Sequence, residues 1–386
     1  MSPFAVFAVC SFASGFAARL SDPIVLPIAL HFGVEPATSA MLSVAYAVPY
    51  AVAQPFLGPL GDRFGKERCI QMCVACLALA LLAGVFATSF AMLIATRIFA
   101  GLFAAGLTPL ILASLGDRYE LSERQVMIGR MLFAVITGQM LGSAVSGVAS
   151  DLFGWRSPLV IAAVLGVAAA AVAFQALKSA PKLDAAARKA QMSIRTVYAT
   201  IFANPRSLWL YGAVAVEGAL FFGPFPFMGT LLVEHAGTAL SEAGRQTGLI
   251  LGATGVGGLA YALTVRVLMA RLGSARMSIV GSTVTAVCFV ALALVPIWWL
   301  AAIAMGIAGM SFFMMHSSMQ TYATELVPSA RATAVSLFAC GFFCGQGFGP
   351  IYFGPLSRAI GFTPTLIISA VAWLILGRVV VRKVMH

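Results

Sequence analysis

Long apolar runs alternate with short polar segments along the whole chain. The runs fall at roughly 4–30, 38–57, 69–87, 91–115, 127–151, 158–177, 207–231, 246–265, 277–295, 297–323, 332–356 and 363–381. About 20 apolar residues carry a helix across a bilayer, and backbone groups in hydrocarbon must be satisfied within the segment. The runs are continuous, whereas a membrane barrel is written in short alternating segments. The pattern predicts an all-α membrane protein with 12 transmembrane helices.

Composition agrees. The 386 residues are 61% hydrophobic and only 10% charged, whereas soluble domains carry about 25% charged residues. The net charge of +11 raises the question of nucleic acid, but its distribution answers it. With the N-terminus in the cytoplasm, the inner loops, inner span ends and tail hold 19 of the 24 Lys and Arg. The outer loops hold Arg156, Arg245 and Arg358, and Arg19 and Arg97 lie inside spans. That asymmetry is the positive-inside rule. It places both termini in the cytoplasm and makes the lipid bilayer, not nucleic acid, the partner. No basic segment precedes the first run, so a cleaved signal peptide is not expected. The seven Cys fall within or at the ends of spans and do not form a secreted-type disulfide framework.

The widest polar segment, Lys178 to Arg206, carries six Lys or Arg against one acid, Asp184. It divides the chain into an N-terminal bundle (1–178), a cytoplasmic linker (179–205) and a C-terminal bundle (206–386) of six spans each. The halves repeat. At an offset of 207, Gly138-Gln139-x-x-Gly142-x-x-x-x-Gly147 in the fifth span aligns with Gly345-Gln346-x-x-Gly349-x-x-x-x-Gly354 in the eleventh. Ser122-x-Arg124 aligns with Ser329-x-Arg331, and Gly154-Trp155 with Gly361-Phe362. At 208, Arg63-Phe64-Gly65 aligns with Arg271-Leu272-Gly273. Six helices separate the copies, so both halves keep one orientation, a known transporter plan. Small residues spaced by four let helix backbones approach closely.

Between the second and third spans, Gly58 to Arg68 reads GPLGDRFGKER. The pattern Gly-x-Leu-Gly-Asp-Arg-x-Gly-Lys resembles the signature loop of the major facilitator superfamily of secondary transporters. Arg97-x-x-Ala-Gly101-x-x-x-x-Gly106 in the fourth span resembles the family's helix-4 motif, with Ala100 where glutamine is usual. The resemblance covers the whole chain, and its compact length looks most like the 12-helix drug/proton antiporter branch. It implies a gating loop of Gly58, Asp62, Arg63, Gly65 and Lys66. Asp62 would latch the halves on the cytoplasmic side, Arg63 and Lys66 would engage nearby acids or lipid, and Gly58 and Gly65 would permit a tight turn. Glu67 departs from the family pattern, as does Ser143, which stands where antiporters usually carry proline after Gly142. The resemblance also associates Arg97 with proton coupling.

A charge far from the ends of a span is costly and normally faces a partner or a cavity. Arg19 and Asp22 sit three apart on one helical face, just before Pro23, where the helix is expected to loosen. A carboxylate held out of water can titrate near neutral pH. Asp22 is therefore the first proton-carrier candidate, with a permanently neutral Asp–Arg pair as the structural alternative. Glu217, followed by Phe221 and Phe225, suits a cationic or amphipathic substrate or, structurally, a hydrogen-bonded core acid. Tyr46, Tyr50 and Gln54 share a face, as do His316 and Gln320. Gln139 and Gln346 are repeat mates. With Arg19 and Met315, these are candidate cavity lining or interhelical glue.

The expectation is a proton-coupled exporter of small organic molecules. It would sit in a bacterial inner membrane, act as a monomer by rocker-switch alternating access, and be neither an enzyme nor a cofactor-binding protein. Uptake of a small metabolite is the alternative. The methionines of the tenth span (305, 310, 314, 315, 319) with Cys340 and Cys344 leave a soft-metal carrier as a lesser one. No phosphate-binding Gly-x-x-x-x-Gly-Lys-Ser/Thr loop is present.

Overall fold

The computed structural model describes residues 2–119, 121–177, 194–294, 297–327 and 331–385. Within these, the side chains of Asp62, Ser122, Arg124 and Arg331, among others, fall outside the described residues, as does Ser329 altogether. The latch expected of Asp62 and the Ser-x-Arg repeat therefore lie outside the description.

The first seven crossings are α1 (Pro3–Phe32), α2 (Met41–Phe64), α3 (Lys66–Val85), α4 (Phe90–Arg118), α5 (Leu121–Phe153), α6 (Ser157–Ala176) and α7 (Pro205–Ala236). Helix then runs over Leu240–Leu294, 55 residues. At 1.5 Å per residue that is about 82 Å, against a hydrocarbon core of about 30 Å. The run is two crossings, α8 and α9, divided where Gly273 leaves helical geometry at φ 67°, ψ 169°. The last three are α10 (Trp298–Glu325), α11 (Arg331–Ile360) and α12 (Phe362–Val380). Twelve crossings result, as the hydrophobic pattern predicts. An even number returns both termini to one end, called here the terminal end; the opposite is the far end.

The repeat is visible in the backbone. Among the described residues, the positive-φ positions are six glycines, and they pair across the halves: Gly33 with Gly237, Gly65 with Gly273, Gly154 with Gly361. The helix packing repeats as well. A Cβ on Gly15 would stand 2.5 Å from the Val135 carbonyl oxygen, and a Cβ on Gly218 would stand 2.5 Å from that of Phe342. Gly138 and Gly142 face the carbonyls of Phe12 and Phe16; Gly345 and Gly349 face those of Ala215 and Ala219. The α1–α5 contact of the first half thus recurs as α7–α11 in the second.

Each half builds its own apolar core, one around Phe7, Phe16 and Tyr46, the other around Phe225, Phe289 and Trp373. Large apolar side chains also cover the outer surface, as lipid contact requires: Leu263 is 85% exposed and Phe153 78%. Among the described residues, α5 with α8 and α2 with α11 make the most extensive contacts between the halves. α5 meets α8 where Gly147, Gly244 and Gly248 bring backbones together, and α2 meets α11 where Gly347 abuts Val48. At the far end the Asp151 carboxylate accepts the Arg245 backbone N–H at 2.7 Å, and Arg358 pairs with Glu35 at 2.8 Å.

The signature loop is shorter than expected. Residues through Phe64 remain helical, Gly58 included, and Gly65 at φ 92° makes the turn alone. The expected linker also contains a helix, Ile194–Ala203, whose Ile201 packs with Val327 and Ala334.

Candidate functional site

The first helix of each half breaks at repeat-related places. α1 is helical through Arg19, becomes a 3-10 turn over Asp22–Ile24, and resumes at Val25. α7 is helical through Phe222, turns over Phe225–Phe227 and resumes at Met228. A proline sits in each turn, Pro23 and Pro226, and the missing N–H frees a carbonyl one turn back. The costly charges gather near these breaks.

In the first half, Arg19 and Asp22 are 5% and 2% exposed and stand 3.6 Å apart. Ser43 of α2 donates to Asp22 Oδ1 at 2.5 Å, while Oδ2 has no hydrogen-bond partner. Arg19 reaches across to the second half. It donates to Gln346 Oε1 at 3.3 Å and its guanidinium lies 3.8 Å from the Phe222 ring centroid. Arg19 is therefore a bridge between halves. Arg97, 2% exposed, donates to the Ala17 carbonyl at 2.9 Å, next to the α1 break, and lies over Tyr46 at 4.5 Å. Among the described residues, its Nε and Nη2 and the Tyr46 hydroxyl have no hydrogen-bond partner.

In the second half, Glu217 is fully buried and its Oε2 sits 2.7 Å from His316 Nδ1 of α10. Among the described residues, Glu217 Oε1 has no hydrogen-bond partner. Rings surround the imidazole: Phe342 at 4.8 Å, Phe312 and Phe338 at 5.2 Å and Phe313 at 6.3 Å between centroids. Ring contacts link the two clusters across the interface. Tyr46 meets Tyr50 at 6.0 Å, Tyr50 stacks on Phe343 at 3.8 Å, Phe343 meets Phe342 at 5.3 Å, and Phe342 meets His316.

Not every expected lining residue takes that place. Gln54 is buried and donates to the Ala105 carbonyl within its own half, while its carbonyl accepts from Ser336. It is interhelical glue. Phe221 is buried in the second-half core, stacked on Phe312 at 4.3 Å, and Met315 is fully buried there. Phe225 lies deeper than Phe222, the ring that meets Arg19 more closely. Gln139 is half-buried on α5, where its backbone faces Gly15, and Gln320 is exposed. The α10 methionines divide between two clusters: 305, 315 and 319 join the second-half core, while 310 and 314 pack with Tyr261. They do not converge on one point.

At the terminal end, Lys66 pairs with Asp117 at 2.5 Å and Glu67 with Arg118 at 3.0 Å. Glu67, which departs from the family pattern, thus has a built partner. Arg63 is exposed and lies over Phe64. The partners had a signal in the sequence: Leu115-Gly116-Asp117-Arg118-Tyr119 echoes Leu60-Gly61-Asp62-Arg63-Phe64. Phe222 stands with Phe221 and Phe225 after Glu217 in the sequence, whereas Ser43, Phe338, Phe342 and Phe343 carried no signal, because which phenylalanine of a membrane helix faces inward depends on the neighbour it packs against.

Known proteins agree with this architecture. The chain is similar to an uncharacterised transporter, YgaY, of Escherichia coli O157:H7 (25% identity over 43% of this chain and 42% of that protein). It is also similar to the methyl viologen resistance protein SmvA of Salmonella typhimurium strain LT2 (28% over 44% of this chain and 36% of that protein). These alignments span less than half the length of either relative. An MFS-type transporter, YceJ, of Bacillus subtilis aligns over 90% of this chain and 89% of its own at 24% identity. Among solved structures, the nucleoside transporter NupG superposes with a TM-score of 0.78 at 16% identity, covering 98% of both chains. A bacterial homologue of the lysosomal transporter Spinster, inward-facing and unoccupied, superposes with 0.76 at 18%, covering 98% of this chain and 96% of that one. Residues 7–350 match the Major Facilitator Superfamily. Twelve crossings, the internal repeat and that match have one meaning: the chain belongs to the Major Facilitator Superfamily, a multi-pass membrane transporter and not an enzyme.

Proposed function

We propose that the protein is a proton-coupled exporter of small organic cations or amphipathic molecules. Two bodies, 1–178 and 206–386, joined by the linker 179–205, would rock about a site between them. One observation carries the reading: each half keeps a carboxylate near the break in its first helix, almost fully buried, with one oxygen that accepts no hydrogen bond among the described residues, Asp22 Oδ2, which Arg19 approaches at 3.6 Å, and Glu217 Oε1. Buried charges at such a cost inside a membrane are retained where an ion or substrate must be handled. The Glu217 carboxylate beside aromatic rings favours a cationic group. SmvA, named for resistance to methyl viologen, an organic cation, supports the same class.

With the basic terminal end in the cytoplasm of a bacterial inner membrane, the far-end contact of α5 with α8 and the Arg358–Glu35 pair would close the site from outside. A proton arriving from outside neutralises Asp22, or the net charge of Glu217 together with its partner His316, and releases substrate; its loss to the cytoplasm restores the negative charge. Arg97, whose remaining N–H groups lie within electrostatic reach of Asp22, sets the charge against which Asp22 exchanges its proton. Each proton entering at 100 mV contributes about 2.3 kcal/mol, enough for about a 50-fold gradient of a neutral amphipathic substrate; a monovalent cation leaving against that potential cancels this contribution, and its one-for-one exchange is driven by the pH difference. Ligands select between the two access states by differential binding. The protein acts as a monomer.

Inverted vesicles test the coupling. Asp22→Asn or Glu217→Gln should abolish substrate-induced proton movement. If both variants keep it at the wild-type rate, the proton carriers are misassigned. A protonophore should raise accumulation of an exported cation in intact cells; a fall instead marks uptake, the alternative polarity.

A further inference from the structure

The surroundings of His316 have the form of a cation site. Phe312, Phe338 and Phe342 stand with ring centroids within 5.2 Å of the imidazole centroid, and the Glu217 carboxylate stands 2.7 Å from its Nδ1. Aromatic faces attract a cation by their quadrupoles, more strongly where water is excluded, and the carboxylate supplies the charge. Glu217 is fully buried with Oε1 unpartnered, whereas the His316 side chain is 13% exposed. The imidazole is therefore the more accessible member of the pair.

We propose that Phe312, Phe338, Phe342 and Glu217 form a substrate-ammonium site that protonated His316 occupies as the protein's own cation. A substrate cation binds by displacing imidazole and proton together. Before binding, the pair is Glu217 carboxylate with His316 imidazolium. Afterwards the carboxylate holds the substrate cation, the imidazole is neutral, and one proton has left to water. Charge balances without any co-reactant. The proposal rests on the reading of this interface as the site of a cation exporter, and it names His316 as the residue that makes substrate and proton exclusive.

Other groups around the box do not supply that proton. On α7, Tyr211 donates its hydroxyl to the Ala334 carbonyl. On α10, Phe312 and Phe313 do not titrate. On α11, Cys340 and Cys344 stand two residues from Phe338 and Phe342, roughly on the opposite helical face. Phe289 and Trp373, from α9 and α12, back Phe312 or Phe221. From the first half, Arg19 lies on Phe222, whose ring meets Phe342 at 5.6 Å. Among the described residues, His316 is the ionisable side chain within hydrogen-bond distance of Glu217.

The test is calorimetry of the full chain in lipid nanodiscs with benzyltrimethylammonium, in two buffers of different protonation enthalpy. Wild-type protein should release one proton per cation bound. Its Kd should fall about tenfold per pH unit of increase across the range in which the pair holds its proton. His316→Ala, which empties the box, should bind at least as tightly, release no proton and show a flat pH profile. Glu217→Gln should lose binding in either background. If His316→Ala keeps the proton release and the pH slope, the proton comes from elsewhere and the proposal falls. It also falls if His316→Ala loses binding while its thermal unfolding matches wild type, since the imidazole is then a ligand and not a competitor. Absence of binding to any variant, with cation transport in vesicles intact, overturns this site alone; absence of both overturns the exporter reading with it.

Discussion

The same added methyl group should have different consequences at Gly248 and Gly218. A Cβ on Gly248 would stand 2.6 Å from the Ser143 carbonyl oxygen and 2.9 Å from Gly147 Cα; a Cβ on Gly218 would stand 2.5 Å from the Phe342 carbonyl oxygen. Both obstacles are helix backbone, so neither can swing aside. Ordinary contact begins at 3.4 Å, so each helix pair must part by about 0.8–0.9 Å. Overpacking of this kind costs about 1–3 kcal/mol. Gly218 packs within the second half, so Gly218→Ala should lower overall stability by that amount in either access state. Gly248 packs on the first half, so Gly248→Ala penalises the far-end-closed arrangement specifically. A difference of 1–3 kcal/mol is about a 5–150-fold shift in population. The readout is alkylation of Met140→Cys, which lies against Gly255 on this seam, by an impermeant maleimide added outside intact cells. Labelling should rise several-fold or more with Gly248→Ala and stay at the parent rate with Gly218→Ala. If Gly218→Ala opens the position and Gly248→Ala does not, the α5–α8 seam is not the outer barrier.

Gly65→Ala and Gly273→Ala should each cost about 1–2 kcal/mol, because an L side chain resists positive φ; thermal unfolding should show matched losses at these repeat-related turns. At the terminal end, Asp117 is 60% exposed, so Asp117→Asn should change stability by less than about 1 kcal/mol. Glu67 is only 7% exposed, so Glu67→Gln should cost more than Asp117→Asn in the same assay, and equal losses would refute the distinction. Arg19→Met leaves buried Asp22 without its ion partner and should cost about 3–5 kcal/mol, whereas Arg19→Met with Asp22→Leu should recover much of that; a double variant no more stable than the single one would contradict it.

Arg97, Asp22 and Glu217 were legible as costly charges because their burial cost is large whatever they meet. The local partner was legible too, Arg19 three positions before Asp22, but the long-range partners were not. Arg19 meets Gln346 327 positions away, and Glu217 meets His316 99 positions away. Gln54 and Gln346 read alike as inward-facing amides, yet one stitches α2 to α4 and the other receives Arg19 across the interface. Phe221 and Phe222 are neighbours, and only contact with α10, α11 and α1 distinguishes the core ring from the one beneath Arg19.

What the chain determined by itself is the set of properties that each stretch settles alone with its solvent. Transfer of about 20 residues into hydrocarbon fixes a crossing, basic flanks orient it, and glycine at positive φ places the turns at 65 and 273. Only the tertiary structure decided which face of each helix looks inward. In water, a buried face is betrayed by apolar periodicity. In a bilayer both the core and the surroundings are apolar, so Leu263 facing lipid and Leu251 in the core are chemically the same residue, and helix packing alone tells them apart.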